Sequence, residues 1–231
     1  MESTDILGTA MIEFLKSGIS HGLVANTSYG SKEEYDLSYF FREEEEMPDL
    51  ELYGLSMCSG RILDIGAGAG SHALLLQKRG HNVTAMDSSL GCVNVMLYRG
   101  VSRVLHMDFN NIQIGGYHTL ILLMNGIGIT GNLGGFMKFL KKAEEITDNK
   151  AQIIFDSTDI SYFLTKKPDS RAKYVGEVKY QFEYHGVKGP WFEWLFIGQD
   201  QLYQICNHTR WVPQVVFEHG DGNYLVRLFK K

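Results

Sequence analysis

The sequence predicts an α/β fold: a mostly parallel sheet with helices on both faces. Three observations lead there. Between Arg61 and Asp156, short β-branched or apolar runs alternate with amphipathic stretches at helical spacing. The first three of those runs close on a glycine or an acid, at Gly66, Asp87 and Asp108. After Asp156 the hydrophobic period changes to two and the aromatic content rises, which marks an antiparallel segment.

The elements follow in chain order. Residues 4–17 place Ile6, Leu7, Ala10, Met11, Phe14 and Leu15 on one helical face, with Thr4 or Asp5 as cap. Residues 22–38 are polar and mixed and read as a loop that turns helical near Tyr35. The acidic run Glu43–Glu46 reads as a solvated face, and 49–58 as a short helix that starts at Asp49 after Pro48. The run from Arg61 is a strand that ends in a glycine loop, followed by a helix over 71–79 with Gly80 as its stop. Next come a strand over 82–87, a helix over 90–99 and a strand over 103–108. The run 118–125 is apolar enough to be buried on both faces; a helix over 133–146 and a strand over 151–156 complete the alternation.

Residues 162–231 hold 15 aromatic residues in 70 positions, against 13 in the preceding 161, and all three tryptophans. This enrichment fits either β-rich structure or the lining of a pocket. Residues 175–184 and 191–197 read as antiparallel strands separated by turns at Gly186 and Gly189-Pro190. Residues 199–208 fit a helix, and 213–219 with 224–229 form a terminal hairpin about Asp221-Gly222. The expected organisation is an N-terminal helical cap segment over 1–60 and an α/β domain over 61–231, with an antiparallel β insertion at 162–197 after the fifth strand.

Composition narrows the function. With 231 residues, 44% hydrophobic and 21% charged, the chain buries a core without staples and is neither disordered nor fibrous. It has no apolar run of the roughly 18 residues a membrane span needs, and its first residues lack a secretory signal pattern. Cys58, Cys92 and Cys206 are odd in number and form no CxxC, which argues against a zinc site or disulfide framework and for a reducing, cytoplasmic compartment. The eight histidines show no metal-ligand spacing, so no metal is expected. Residues 1–60 carry 3 basic and 12 acidic residues, and no segment gathers the cationic surface that nucleic acid demands.

The sharpest motif is LDIGAGAGSHALL, 63–75, between a predicted strand and a predicted helix. Gly66 and Gly68 permit backbone geometry that a side chain would obstruct. Asp87, 21 positions after Gly66, stands where nucleotide-binding α/β sheets place the acid that meets ribose hydroxyls. Ligands of open α/β sheets bind beyond the carboxyl ends of strands, which puts Gly66, Asp87 and Asp108 on one rim. The spacing is G-x-G-x-G rather than the dinucleotide G-x-G-x-x-G, which disfavours a nicotinamide dehydrogenase.

LDIGAGAG, the acid in TAMDSS, the acid in LHMDFN and the apolar run ending at Asn125 resemble the class I S-adenosylmethionine-dependent methyltransferases, closely over residues 55–160. The resemblance implies a Rossmann-like, seven-stranded sheet with an antiparallel C-terminal strand. It implies S-adenosylmethionine as cofactor and S-adenosylhomocysteine as product. It places the glycine loop against the methionine part, Asp87 on the ribose, and Asp108 with Phe109 on the adenine. Carried across, Asp64, Gly66, Ala67, Gly68, Asp87, Ser88, Asp108, Phe109 and Asn125 line the cofactor. Where base- and glutamine-methylating relatives often carry Asn/Asp-Pro-Pro-Tyr/Phe, this chain has Asn125-Gly126-Ile127-Gly128, which weakens that reading. The glycines at 126, 128, 131, 134 and 135 fit either a close backbone approach or a pliant loop.

The resemblance also points to 23–53 and 160–197 as the acceptor cover, with Tyr29, Tyr39, Phe40, Tyr162, Trp191 and Trp194 as candidate walls. Arg42 has two readings: it pairs with the cofactor carboxylate through its fork, or it neutralises neighbouring glutamates. No residue is assigned as a catalytic base. The expected activity is in-line methyl transfer to a small-molecule acceptor. The alternatives are a protein or RNA acceptor and a non-catalytic cofactor-binding protein.

Overall fold

The computed structural model describes residues 5–20, 22–162 and 174–231. In chain order the elements are α1 (Ile6–Ser17), β1 (Leu23–Thr27), β2 (Lys32–Glu34), α2 (Asp49–Ser56), β3 (Arg61–Ile65), α3 (Ser71–Lys78), β4 (Asn82–Asp87) and α4 (Leu90–Arg99). They continue with β5 (Val104–His106), β6 (Tyr117–Leu122), α5 (Leu133–Ile146), β7 (Thr147–Thr158), β8 (Glu177–Tyr184), β9 (Val187–Leu195), α6 (Gln199–Cys206), β10 (Trp211–Glu218) and β11 (Asn223–Lys230).

The main sheet has seven strands in the order β10-β11-β7-β6-β3-β4-β5. The five strands β3 to β7 are parallel, and the terminal hairpin adds β11 antiparallel to β7 and β10 to β11. The strand order reverses between β3 and β6, which makes the carboxyl end of β3 the topological switch point. The buried central strands explain their unbroken apolar runs. Successive side chains point to opposite faces. Leu120, Leu122, Ile153 and Phe155 therefore pack with Phe136, Phe139 and Trp211 on one side. Ile121 and Ile154 pack with Leu55, Leu75 and Leu76 on the other.

A second, smaller sheet is built from two distant parts of the chain, in the order β2-β1-β8-β9, all antiparallel. This corrects the sequence reading of 22–38 as a loop and of 1–60 as helical. The segment supplies β1 and β2, and they join the strands expected of the insertion. β1 buries Leu23, Ala25 and Thr27 at alternate positions, but five residues of mixed polarity reveal their period only beside the partner β8.

α1 is pinned to the main domain through its cap. The Asp5 carboxylate accepts from Gly8 N at 3.0 Å and also from Ser89 Oγ and Gly91 N at the start of α4. Among the described residues no helix is long and apolar enough to cross a membrane. Removing the Asp5 carboxylate leaves three donors without it at once. Asp5→Ala is expected to lower unfolding free energy by about 1–3 kcal/mol, read by urea denaturation; an unchanged midpoint would refute the pinning role.

Candidate active site

The carboxyl ends of the parallel strands open onto a cavity of about 630 Å³ between the two sheets. Its floor is the loop after β3. Gly66 and Gly68 both adopt left-handed backbone, φ +70° and +56°, which favours glycine. The loop is held from the neighbouring strand: Gly66 N and Ala67 N donate to Met86 O at 2.9 and 3.0 Å. Asp87, at the tip of β4, then accepts from Gly68 N at 2.9 Å and from Ser89 N at 2.8 Å. Burial raises its pKa, and those two N–H groups work against the rise. Asp108 caps the turn after β5, accepting from Asn110 N at 2.7 Å, and Phe109 packs at a tilt on Phe139 with ring centroids 4.7 Å apart.

A second carboxylate holds the opposite rim. Met124 and Asn125 follow β6 with φ of +61° and +54°, a conformation that side chains disfavour. Asp156 on β7 accepts from Asn125 N at 2.8 Å, and the Thr158 hydroxyl donates to the Asn125 side chain at 3.0 Å. These bonds fix the pair where both face the cavity.

At the glycine-loop end lies a buried polar cluster. Glu51 on α2 accepts from Arg42 at 2.7 and 2.9 Å and meets His72 Nε2 at 2.8 Å. Burial pushes the Glu51 pKa up, but His72 and Arg42 outweigh it and leave the carboxyl below its ordinary value. Burial likewise pulls His72 down, and Glu51 with Asp64 overturns that, so the imidazole stays charged more readily than usual. Asp64 is fully buried with its Oδ2 unpartnered, and burial lifts its pKa to about 6. Asp156 is pushed by burial to about 7.

The roof is aromatic. Alternation along β8 and β9 sends Tyr180, Phe182, Phe192 and Trp194 to the cavity side, with Tyr35 edge-on to Phe182 at 5.8 Å. Phe192 touches Phe182 and Trp194 at centroid distances of 5.1 and 6.2 Å. The Trp194 indole lies against Gly128, where any Cβ would collide with it. Of the two readings of the glycines after β6, close backbone approach therefore holds at Gly128.

No protein-family model matches the chain, and no curated protein sequence matches it. Among solved structures, it is similar to the SAM-dependent methyltransferase from Bacteroides fragilis in complex with S-adenosyl-L-homocysteine, at 30% identity over 100% of this chain and 96% of that one, TM-score 0.91. The chain belongs to the S-adenosylmethionine-dependent methyltransferases. The CcbJ methyltransferase from Streptomyces caelestis, at 10% identity over 80% and 94% of the two chains and TM-score 0.61, shares the fold. So does the sugar N-methyltransferase KedS8 from Streptoalloteichus sp ATCC 53650, at 11% identity over 86% and 94% and TM-score 0.58.

In this methyltransferase Asp64, Gly66, Ala67, Gly68, Asp87, Ser88, Asp108, Phe109 and Asn125 all line the one cavity. Trp194 and Phe40 line it too. Arg42 does not: its fork closes on Glu51, and its Nε donates to Tyr39 O. Trp191 is 50% exposed because the strand period turns it to the face opposite Phe192. Tyr29 stands at the β1–β2 turn with its hydroxyl on Glu33 at 2.6 Å, and Tyr39 is exposed. The side chain of Tyr162 lies outside the described residues. Sequence reasoning missed Glu51, His72, Met124 and Asp156. The adjacency of His72 to the glycine loop was the one signal available.

The two buried carboxyls set a pH dependence. Unfolded aspartates titrate near about 3.9, whereas native Asp64 and Asp156 hold their protons to about 6 and about 7. Both therefore add stability at low pH that is lost as pH rises through those values. Asp64→Asn, uncharged throughout, is expected to lose less stability than the wild type between about pH 5 and pH 8 in urea denaturation. Parallel losses in the two proteins would contradict the assignment.

Proposed function

We propose that the cavity binds S-adenosylmethionine along the glycine-loop rim and transfers its methyl group to a small-molecule acceptor seated under the aromatic roof. One observation carries this: the positive-φ glycine loop, the carboxyl groups of Asp64, Asp87 and Asp108 and the aromatic wall of the small sheet all border a single cavity of about 630 Å³. That size suits a small ligand rather than a polymer. The neighbour from Bacteroides fragilis was crystallised with S-adenosyl-L-homocysteine, and KedS8 is a sugar N-methyltransferase, which agree with this reading.

The residues fit the cofactor's chemistry. Asp64 Oδ2 is a buried acceptor without a partner, which an ammonium would satisfy. The ledge at Gly66 and Gly68 leaves the backbone open to a ligand. Asp87 takes the ribose hydroxyls, Phe109 stacks on the adenine beside Asp108, and Ser88, Ala67 and Asn125 complete the wall. When bound, the cofactor supplies an electrophilic methyl on a sulfonium. The chain contributes alignment of the acceptor and a site that excludes water. Its π-faces favour a cation by about 0.5–2 kcal/mol each. Burial raises the Tyr35 hydroxyl to about 12 and Tyr180 further still. Neither phenol is ionised at neutral pH, so neither is a ready base for a protonated acceptor. The three free, buried cysteines accord with a reducing, cytoplasmic setting.

Incubating the protein and S-adenosylmethionine with a metabolite extract is expected to yield a product heavier by one methylene, together with S-adenosylhomocysteine. Absence of both would refute the reading. Asp87→Ala is expected to cost about 1–3 kcal/mol of S-adenosylhomocysteine affinity by calorimetry. For the acceptor that the screen returns, Trp194→Ala is expected to raise KM by about 2–30-fold while cofactor affinity holds. Equal loss of both would move Trp194 to the cofactor side.

A further inference from the structure

The cavity carries charges of both signs at its glycine-loop end, and on the cofactor reading above the cation there has a role of its own. Two cationic side chains line the cavity among the described residues, His72 and Lys138. Lys138 is on α5, the helix whose Phe139 packs on Phe109, and not on the helix that follows the glycine loop. His72 is the second residue of α3, immediately beyond the glycine loop. It is buried, its Nε2 is tied to Glu51 Oε2 at 2.8 Å, and its Nδ1 has no hydrogen-bond partner among the described residues. The nearby Asp64 carries the unpartnered Oδ2.

Arg42 would be the expected guanidinium for a carboxylate, but both oxygens of Glu51 occupy its Nη2. Its charge reaches the cavity only through Glu51, which fixes the ring of His72. We infer that His72 is the positioning residue for the carboxylate of the cofactor's methionine end, with Glu51 and Arg42 behind it as the brace. A free amino acid moiety then meets an acid, Asp64, and a cation, His72, at one end of the cavity. The net charge of that end stays balanced when the zwitterion enters.

The groups that face His72 are Glu51 from α2, Arg42 from the segment before it, Asp64 from β3 and Asp156 from β7. Burial lowers the affinity of His72 for its proton, but Glu51 and Asp64 raise it further, so the ring is charged at neutral pH more often than an exposed histidine.

The test compares two ligands by calorimetry: S-adenosylhomocysteine and S-adenosyl-3-thiopropylamine, which keeps the amine and lacks the carboxylate. His72→Gln is expected to weaken S-adenosylhomocysteine by about tenfold or more, as loss of a charged hydrogen bond does, and to change binding of the decarboxylated ligand by no more than about threefold. Equal weakening of both ligands, or of neither, overturns the inference while leaving the cofactor reading intact. Should the wild type bind neither ligand, the cofactor reading fails and this one with it. A measurement on the unaltered protein covers a variant that does not fold. The preference of the wild type for the carboxylated ligand is expected to fall as pH rises from about 6 to about 8.5, where imidazole gives up its proton. Asp64 faces the amine that both ligands share, so its titration largely cancels in the ratio. A preference that stays flat across that range overturns the assignment.

Discussion

Two aspartates at the ends of strands hold the rim on which everything else stands. Asp87 spends its oxygens on backbone N–H groups of the glycine loop and of the turn into α4. Asp156 does the same for Asn125, where two consecutive side-chain-bearing residues adopt left-handed backbone. Such a conformation costs about 1–2 kcal/mol per residue and persists only where its surroundings determine it. A carboxylate accepting a backbone N–H in a poorly solvated site supplies that determination. The rim is thus fixed before any ligand arrives. The binding energy of a ligand is then not consumed in ordering the loop, which is the condition for using it on alignment.

The roof answers to a different constraint. Its four strands come from residues 23–34 and 177–195, so β1 meets β8 across more than 150 positions of chain. Pairing so distant closes a long loop, whose entropic cost grows only slowly with length. What makes the pairing specific is the pleat. One face of β8 and β9 carries aromatic side chains to the cavity, and the other carries Lys179, Gln181, Glu183, Trp191 and Glu193 away from it. A slip of one residue would exchange the two faces. It would also withdraw Trp194 from Gly128, where only a glycine leaves room for the indole.

Much of the fold was legible in the sequence, for an identifiable reason. Strands buried on both faces, such as Tyr117–Leu122, announce themselves as continuous apolar runs. Helices with caps, such as Leu133–Ile146 behind Asn132, carry their boundaries in the residues. The short strand Val104–His106 was read two residues too far at its carboxyl end because Asp108 serves the turn that follows rather than the ladder. β1 was invisible because its burial is created by β8, and β2 because Lys32–Glu34 buries no side chain at all. The same division separates the site residues. Asp64, Asp87 and Asp108 sit at positions that topology alone aligns. Arg42 was drawn toward a ligand on charge and fork geometry, and no local feature showed that Glu51, nine residues later, would take the guanidinium. Asp156 looked like the unremarkable end of a strand.

The buried polar cluster is where packing and chemistry meet. Glu51 lies deep enough that its charge would be prohibitively costly alone, yet Arg42 and His72 make it the centre of a three-membered array. Replacing such an array with apolar side chains often preserves or improves stability, so stability is a weak reason for its presence. What it does accomplish is directional. Arg42 lies outside the cavity and His72 inside it, with Glu51 between them, so a charge in the N-terminal segment fixes the orientation of a ring at the glycine-loop end of the cavity. Ser71 Oγ donates to Phe40 O, and Arg99 spans Ala69 O and Phe41 O, so the same segment is also stitched across the glycine loop. Cover and floor are therefore one mechanical unit. A change in the segment 37–46 must be felt at the loop that carries Gly66 and Gly68, and not only at the acceptor side where its sequence position would place it.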